Sequence, residues 1–397
     1  MSPSNDSRYD VIVIGAGAAG MMCAIEAGRR GRRVLLLDKA KKPGRKILIS
    51  GGGRCNFTNL HASPGHYVSA NPHFCKSALA RYTQWDFIAL LESRGLGWHE
   101  KKLGQLFCDQ RAPAVVAMLV ELCEQAGVII RSDSAIESIE KDNAFAVTTN
   151  TGRYQAASLV IATGGPSVPR MGASDFAIDV ARQFGIPTRP FRPGLVPLKL
   201  AEADRQRLFG GLAGTAVEAV VGCNGIEFRE NLLVTHRGLS GPAILQISSY
   251  WRPGDSIRID LLPDIDAAAW AADIRRQSPD LLLKNALAQL LPRRLAQHLA
   301  VTMFADQPIR RFDGATLQRV ITTLRTLAVT PTGSEGLRTA EVCLGGIDTD
   351  ALSSKTMECK RVAGLYFIGE AVDVTGQLGG YNFQWAWSSG WCAGQYV

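Results

Sequence analysis

The sequence has no apolar run approaching the roughly 20 residues that a membrane-spanning helix needs. Its longest purely apolar blocks are strand-sized, such as Val11-Ile12-Val13-Ile14. It has no C-x-x-C pair and an odd number of cysteines, nine. That excludes a zinc ribbon or a thioredoxin-like dithiol and reads as free thiols in a reducing compartment. The stretch Met1 to Arg8 is polar and leads straight into a strand, without the apolar core of a secretory signal. A cytoplasmic protein away from membranes is the expectation. There is no internal repeat, no low-complexity tract and no Ser-His-Asp order with a nucleophile elbow, so hydrolase chemistry has no support. His61, His66 and His73 are spaced by five and seven residues, which fits no metal-ligand pattern, and no metal is expected.

What is present is 397 residues, 46% of them hydrophobic and 20% charged. That is enough for a substantial core and for two or three domains. A net charge of +8 favours anionic partners such as a dinucleotide, a phosphorylated substrate or RNA, and equally describes a plain basic surface.

Strand, glycine turn, helix, strand is the order from Tyr9 to Asp38. Helical patterns follow over Pro72 to Gly95 and Ala112 to Gly127. Short strands come next: Val128 to Ile130, Ser134 to Glu140, Ala144 to Thr149, Arg153 to Ala157, and the apolar run Leu159 to Ala162. Pro187, Pro190, Pro193 and Pro197 punctuate a boundary. The pattern then turns β-rich to Leu262 and helical and arginine-rich to Leu327. Buried-strand character returns at Gly364 to Gly369, and a last helix starts near Asn382. The two ends read alike and the middle reads as inserted. The expected segments are 1–188 and 346–397 for one split domain, 189–262 for a β-rich insert, 263–330 for a helical subdomain, and 331–345 for a return strand.

The strongest motif is Gly15-Ala16-Gly17-Ala18-Ala19-Gly20 between a strand and a helix, with Asp38 closing the next strand. Gly15 permits the turn, Gly17 lets backbone approach a pyrophosphate, and Gly20 lets helix and strand pack closely. The helix start offers N–H groups and a positive dipole end to phosphates. Asp38 is placed for ribose hydroxyls. A ligand-free glycine turn is the bland alternative. The next block, Gly44 to Asn59, carries Arg45, Lys46, the triplet Gly51-Gly52-Gly53, Arg54 and Asn56. It suits a dinucleotide lying across the loop with a flavin at its far end, or else is a flexible basic loop. Ala162-Thr163-Gly164 forms a strand-end turn expected near a ribityl chain. At the C-terminal end, Gly369, Glu370 and Asp373 precede Gly379-Gly380-Tyr381-Asn382-Phe383, where a helix start would face the flavin N1–C2=O edge and favour the reduced anion. Trp385, Trp387 and Trp391 read as core.

The runs Gly44 to Asn59, Gly238 to Ala243 and Gly369 to Gly390 resemble the BaiN/YhiN-like bacterial flavoproteins, NAD(P)/FAD-dependent oxidoreductases, and the likeness covers nearly the whole chain. It implies an α/β fold: a Rossmann-type FAD-binding domain of the two-dinucleotide-binding type, interrupted by an inserted β-barrel-like plus helical region. It implies FAD contacts at Gly15 to Gly20, Asp38 with Lys39, the Gly51 to Asn56 loop, and Gly369 to Phe383; Ala135 joins the expected contacts. Two departures stand out. The family often has Glu where this chain has Asp38, and Gly-Arg-Val-Phe-Pro where it reads Gly104-Gln105-Leu106-Phe107-Cys108. The family's reactions include reduction of a conjugated C=C in steroid-like acids, amine oxidation, and reduction of uridine in ribosomal RNA.

Reducing a polarised C=C needs a proton donor beside the flavin, and Cys55, Cys108, His236 and Tyr381 are the candidates nearest the motifs. Ser240 reads as an N-cap with Pro242 in the first turn of a helix that could hold an anionic substrate group. The main expectation is an NAD(P)H-driven reductase of an activated C=C in a small molecule, with NAD(P)H visiting the flavin transiently because only one G-x-G-x-x-G is present. The alternatives are a flavoenzyme forming dihydrouridine in ribosomal RNA, an amine oxidase, and a non-enzymatic flavin-binding protein. For the RNA alternative the insert offers Arg275, Arg276, Lys284, Arg293, Arg294, Arg310, Arg311, Arg319 and Arg325 as a phosphate-binding face, against the bland reading of a solvated helical face.

Overall fold

The computed structural model describes residues 7–169 and 172–397; most of the polar N-terminal stretch read above lies outside them. The chain divides into two compact units, residues 1–192 with 342–397, and residues 193–341.

The first unit is built on a seven-stranded sheet. Ile129–Arg131, Val34–Leu37, Arg8–Ile14 and Gly152–Ile161 lie side by side and parallel. The central strands have no water-facing side: Val11 to Val13 and Val34 to Leu37 are fully buried, as continuous apolar runs demand in a parallel sheet covered on both faces. Gly152–Ile161 is one ten-residue strand, where the sequence suggested two. Its first half pairs antiparallel with Phe145–Thr149; its last three residues, Leu159 to Ile161, are fully buried and pair parallel with Leu365–Phe367. One strand thus joins a one-sided hairpin to a two-sided core. The pairing of Leu159 with Leu365 brings the two ends of the chain into a single Rossmann-type α/β domain.

The helical pattern expected over Pro72 to Gly95 is two helices, Lys76–Arg81 and Gln84–Glu92. The break has a local cause. Thr83 is extended, and its N–H and hydroxyl both donate to Asp86 at 2.6 Å, starting a new helix. The Tyr82 carbonyl before it accepts from buried Gln384 and Ser388 of the C-terminal helix Tyr381–Gly394. Trp385 and Trp387 are buried there, and Trp391 stacks on Tyr82.

That C-terminal helix lies against the first helix, Ala18–Arg29, with backbone in contact: a Cβ on Gly390 would sit 2.4 Å from the Ala19 carbonyl oxygen.

The second unit has its own hydrophobic core, shared by strands and helices. Its seven strands are antiparallel in the order 327–329, 257–260, 216–223, 226–234, 238–240, 198–199, 333–334. The two edge strands are neighbours in sequence. The four residue steps from Val329 to Gly333 span at most about 14 Å, whereas a flat seven-stranded sheet would separate its edges by about 29 Å. The sheet therefore curls back on itself, barrel-like. The helix Pro242–Ser248 is capped by Gly241, while Ser240 belongs to the preceding strand; the expected Ser240 cap does not form.

Replacing Gly390 by Ala should cost about 1–3 kcal/mol of stability by overpacking against Ala19. Gly65→Ala, where a Cβ meets nothing within 4 Å, serves as the control. Urea unfolding of both variants checks this.

Candidate functional site

At the top of the parallel strands the glycine turn makes contacts that only glycine permits. Gly15 has φ +110°, and a Cβ on Gly20 would lie 1.8 Å from the Gly15 carbonyl oxygen. Around Gly17 the space is open, with nothing within 4 Å of where its Cβ would be. No side chain among the described residues caps the helix that begins at Ala18, so its first N–H groups face that space uncapped. Asp38 braces the turn: one oxygen accepts from Ala16 N–H and the other from Ala40 N–H, each at 2.7 Å. Thr163, just past the central strand, has a buried hydroxyl with no partner among the described residues. A buried unpaired hydroxyl is costly unless a ligand supplies its partner. An open cradle, an uncapped helix start and an orphaned hydroxyl together fit a nucleotide cofactor.

The basic loop is more committed than its sequence suggests. Lys46 Nζ lies 2.5 Å from Glu370 Oε2 and 2.6 Å from Ser167 Oγ, and the other Glu370 oxygen accepts from Cys343 N–H at 2.9 Å and from Ser167 Oγ. Lys46 and Glu370 thus neutralise each other. Lys39 donates to Ser174, and both Lys39 and Arg45 reach toward Gly172. Gly51, Gly52 and Gly53 are all left-handed, which three residues with side chains would resist, and Cys55 is left-handed as well. Asn56, with its amide oriented to suit its neighbours, donates to the Thr58 and Leu106 carbonyls and accepts from Gly380 N–H.

Other expected contacts are turned to internal use. Asp373 accepts from Ala70 N–H and faces Arg189; burial nonetheless pushes its carboxyl up. Asn382 bonds both backbone groups of Gly376. Ala135 gives its N–H to Asn150 Oδ1 and its carbonyl to Asn150 N–H. Ala162 N–H continues the ladder to Ile14. Gly164, left-handed, packs beside Glu370, and Gly369 beside Ala19. Gly379 and Gly380 lead into the C-terminal helix, whose start also lacks a side-chain cap; Phe383 stacks on Trp387.

Of the proton-donor candidates, Cys55 and Cys108 lie together, Cys108 N–H donating to the Cys55 carbonyl at 3.3 Å. Cys55 is fully buried and burial pushes its thiol up to about 12. Cys108, also buried and raised, points its thiol at Gln110. His236 is exposed on a turn of the other unit. Tyr381 alone opens the C-terminal helix; burial raises its phenol to about 12, and His66 stacks on its ring at 4.6 Å. Among the described residues no cluster of His, Cys, Asp and Glu could hold a metal ion, and no helix is long and apolar enough to cross a membrane.

Two residues that the sequence did not single out organise this end of the site. Buried Asn59 donates to the Leu103 carbonyl at 3.1 Å and the Gly379 carbonyl at 2.9 Å, and accepts from His61 N–H. Gln105 packs on Gly379: a Cβ there would meet its side chain at 3.0 Å. Gln105 lay in the departure at 104–108 and Asn59 closed the block Gly44 to Asn59, but neither position signalled a contact with Gly379, more than 270 residues away in sequence. Ser167 and Cys343 gave no signal at all.

A family model described as HI0933-like protein Rossmann domain matches residues 9–396. A "Ribosomal RNA dihydrouridine synthase" of Escherichia coli (strain K12) is 55% identical over 391 residues, 98% of each chain. A protein of the same name from Haemophilus influenzae is 47% identical over 396 residues, again 98% of each. A "3-dehydro-bile acid delta(4,6)-reductase" of Clostridium scindens is 28% identical over 400 residues, 96% of this chain and 97% of that one.

His66 offers a check on the site's burial. Desolvation lowers its pKa from the ordinary 6.5, so the folded protein binds this proton less readily than the unfolded chain. The associated stability is whole above pH 6.5 and is lost as the pH falls through the lower, folded value. An NMR titration should place the His66 midpoint below 6.5 and move it up toward that value in Tyr381→Ala, which uncovers the ring.

Proposed function

The chain belongs to the HI0933-like protein Rossmann-domain family, and from that premise we propose that it is an FAD-dependent oxidoreductase that reduces a uridine of ribosomal RNA to dihydrouridine. The observation that carries the substrate is the 55% identity to the E. coli ribosomal RNA dihydrouridine synthase over 98% of both chains, against 28% to the bile acid reductase. It favours the RNA reading over a small-molecule reductase, which the sequence motifs alone had put first.

In this reading the Gly15 to Gly20 turn and the helix start at Ala18 hold the FAD pyrophosphate, where open space and N–H groups meet. Asp38 keeps lone pairs for the ribose while its bonds to Ala16 and Ala40 fix its orientation. Lys39 and Arg45 would supply cations for the phosphates, since Lys46 is spent on Glu370. Thr163 gives its orphaned hydroxyl to the cofactor. The uncapped start of Tyr381–Gly394 would offer its positive dipole end to the flavin. FAD, when bound, supplies the two-electron chemistry, with NAD(P)H as its proposed source of electrons. Saturating the uracil double bond also needs a proton at one carbon. Tyr381 is the candidate on the helix that opens onto the site, and its raised pKa keeps it protonated at neutral pH.

Thr163→Val removes an unpaired buried hydroxyl, so the cofactor-free protein should be no less stable by thermal melt, while FAD affinity, read by fluorescence quenching on titration, should weaken several-fold. For the substrate, ribosomal RNA from cells lacking the protein should lose a dihydrouridine by mass spectrometry and regain it on complementation. An unchanged dihydrouridine content, with FAD bound and reducible in the purified protein, would return the assignment to small molecules.

A further inference from the structure

The insert offers nine cations as a phosphate-binding face, against the reading of a solvated helical face, and the charge balance favours the latter. Residues 193–341 hold 17 Lys and Arg against 15 Asp and Glu, a net +2; the rest of the chain holds 27 against 21, a net +6. Within the insert, Arg276, Lys284, Arg310 and Arg325 are each paired with a carboxylate, of Asp273, Asp306, Asp280 and Asp260. The excess positive charge lies on the cofactor unit.

There one element stands out. The hairpin of Trp98–Glu100 and Gln105–Cys108 carries exposed Lys101, Lys102 and Leu103 at its tip. Leu103 is 57% exposed and left-handed at φ +51°, an unusual conformation for a leucine. Asn59 holds it there by bonding its carbonyl, and the same amide bonds the Gly379 carbonyl, so the tip is pinned beside the start of the C-terminal helix. Lys101 Nζ and the exposed Arg54 guanidinium both lie over the Phe107 ring, at 5.6 and 5.4 Å, which gathers two cations on the hairpin. The nearby carboxylates are turned to local hydrogen bonds: Glu100 accepts from Gly104 N–H and Asp109 bonds the His99 ring. A left-handed leucine that is more than half exposed, flanked by cations and fixed beside the start of the C-terminal helix, is a conformation the fold keeps at a cost.

We propose that this hairpin is the RNA-docking element: Lys101 and Arg54 take backbone phosphates, and Leu103 meets a base next to the target uridine. The assignment rests on the ribosomal RNA reading above. An enzyme that acts on a base must take it out of the stack, and an apolar side chain beside it fills the space left behind.

The test uses full-length protein loaded with FAD and in vitro transcribed ribosomal RNA, with binding measured across a salt series. Lys101→Glu should weaken binding about tenfold and lower the log–log salt slope by about 0.7–0.9 for the lost phosphate contact. Leu103→Gly suits the left-handed backbone, so it removes only the side chain; it should slow dihydrouridine formation about tenfold and leave the salt slope and the bound-flavin spectrum unchanged. Arg293→Glu with Arg294→Glu should match wild type. Wild-type-like behaviour of both hairpin variants, with binding lost in the insert double variant, overturns the docking assignment alone. Failure of wild-type protein to retain or modify the RNA at low salt removes the ribosomal RNA reading itself, and this assignment with it.

Discussion

The cofactor unit depends on how closely backbone can approach backbone around the helix Ala18–Arg29. On one side the helix touches the glycine turn at Gly20, on the other it meets the C-terminal helix at Gly390, and Gly369 presses on Ala19 between them. No side chain fits at these contacts. Three segments from distant parts of the chain therefore share a rigid frame, and polar bonds lock it: Trp385 Nε1 to the Gly369 carbonyl, Trp387 Nε1 to the Phe57 carbonyl, and Gly369 N–H to Ser389 Oγ. Because every one of these groups is buried and satisfied, movement of the C-terminal helix would break several bonds at once.

That frame decides which groups are open to chemistry. The cysteines are all free and all buried, and the ones nearest the glycine loop are sealed by it, not displayed. Ionic groups that looked available, Lys46 and Glu370, are spent on each other. What stays open is backbone: the uncapped starts of two helices and the space above Gly17. Cofactor recognition of this kind relies on fixed dipoles instead of mobile charges, and such dipoles need no reorganisation when charge develops.

The glycine turn, the split of the domain between the two ends and the C-terminal helix were legible in the sequence because each is written in adjacent residues. Gly15, Gly17 and Gly20 state their roles by spacing, and continuous apolar runs announce buried parallel strands. Pairing across distance was not legible. The sequence shows Arg276 and Lys284 as cations but not the carboxylates that face them. It shows Gln105 as an odd residue in a familiar block but not that Gly379 lies against it. The break at Thr83 was readable in principle from Thr83 and Asp86, a local capping pair hidden inside a strong helical pattern.

The strand pairing of Leu159 to Ile161 with Leu365 to Phe367 has a consequence for biosynthesis. Some two hundred residues separate the partners, so a nascent chain exposes the apolar edge of Gly152–Ile161 until the late strand leaves the ribosome. At typical elongation rates that interval is on the order of 10–40 s. During it the unpaired edge is a template for wrong strand pairing, so the topology itself sets a window of exposure to misfolding.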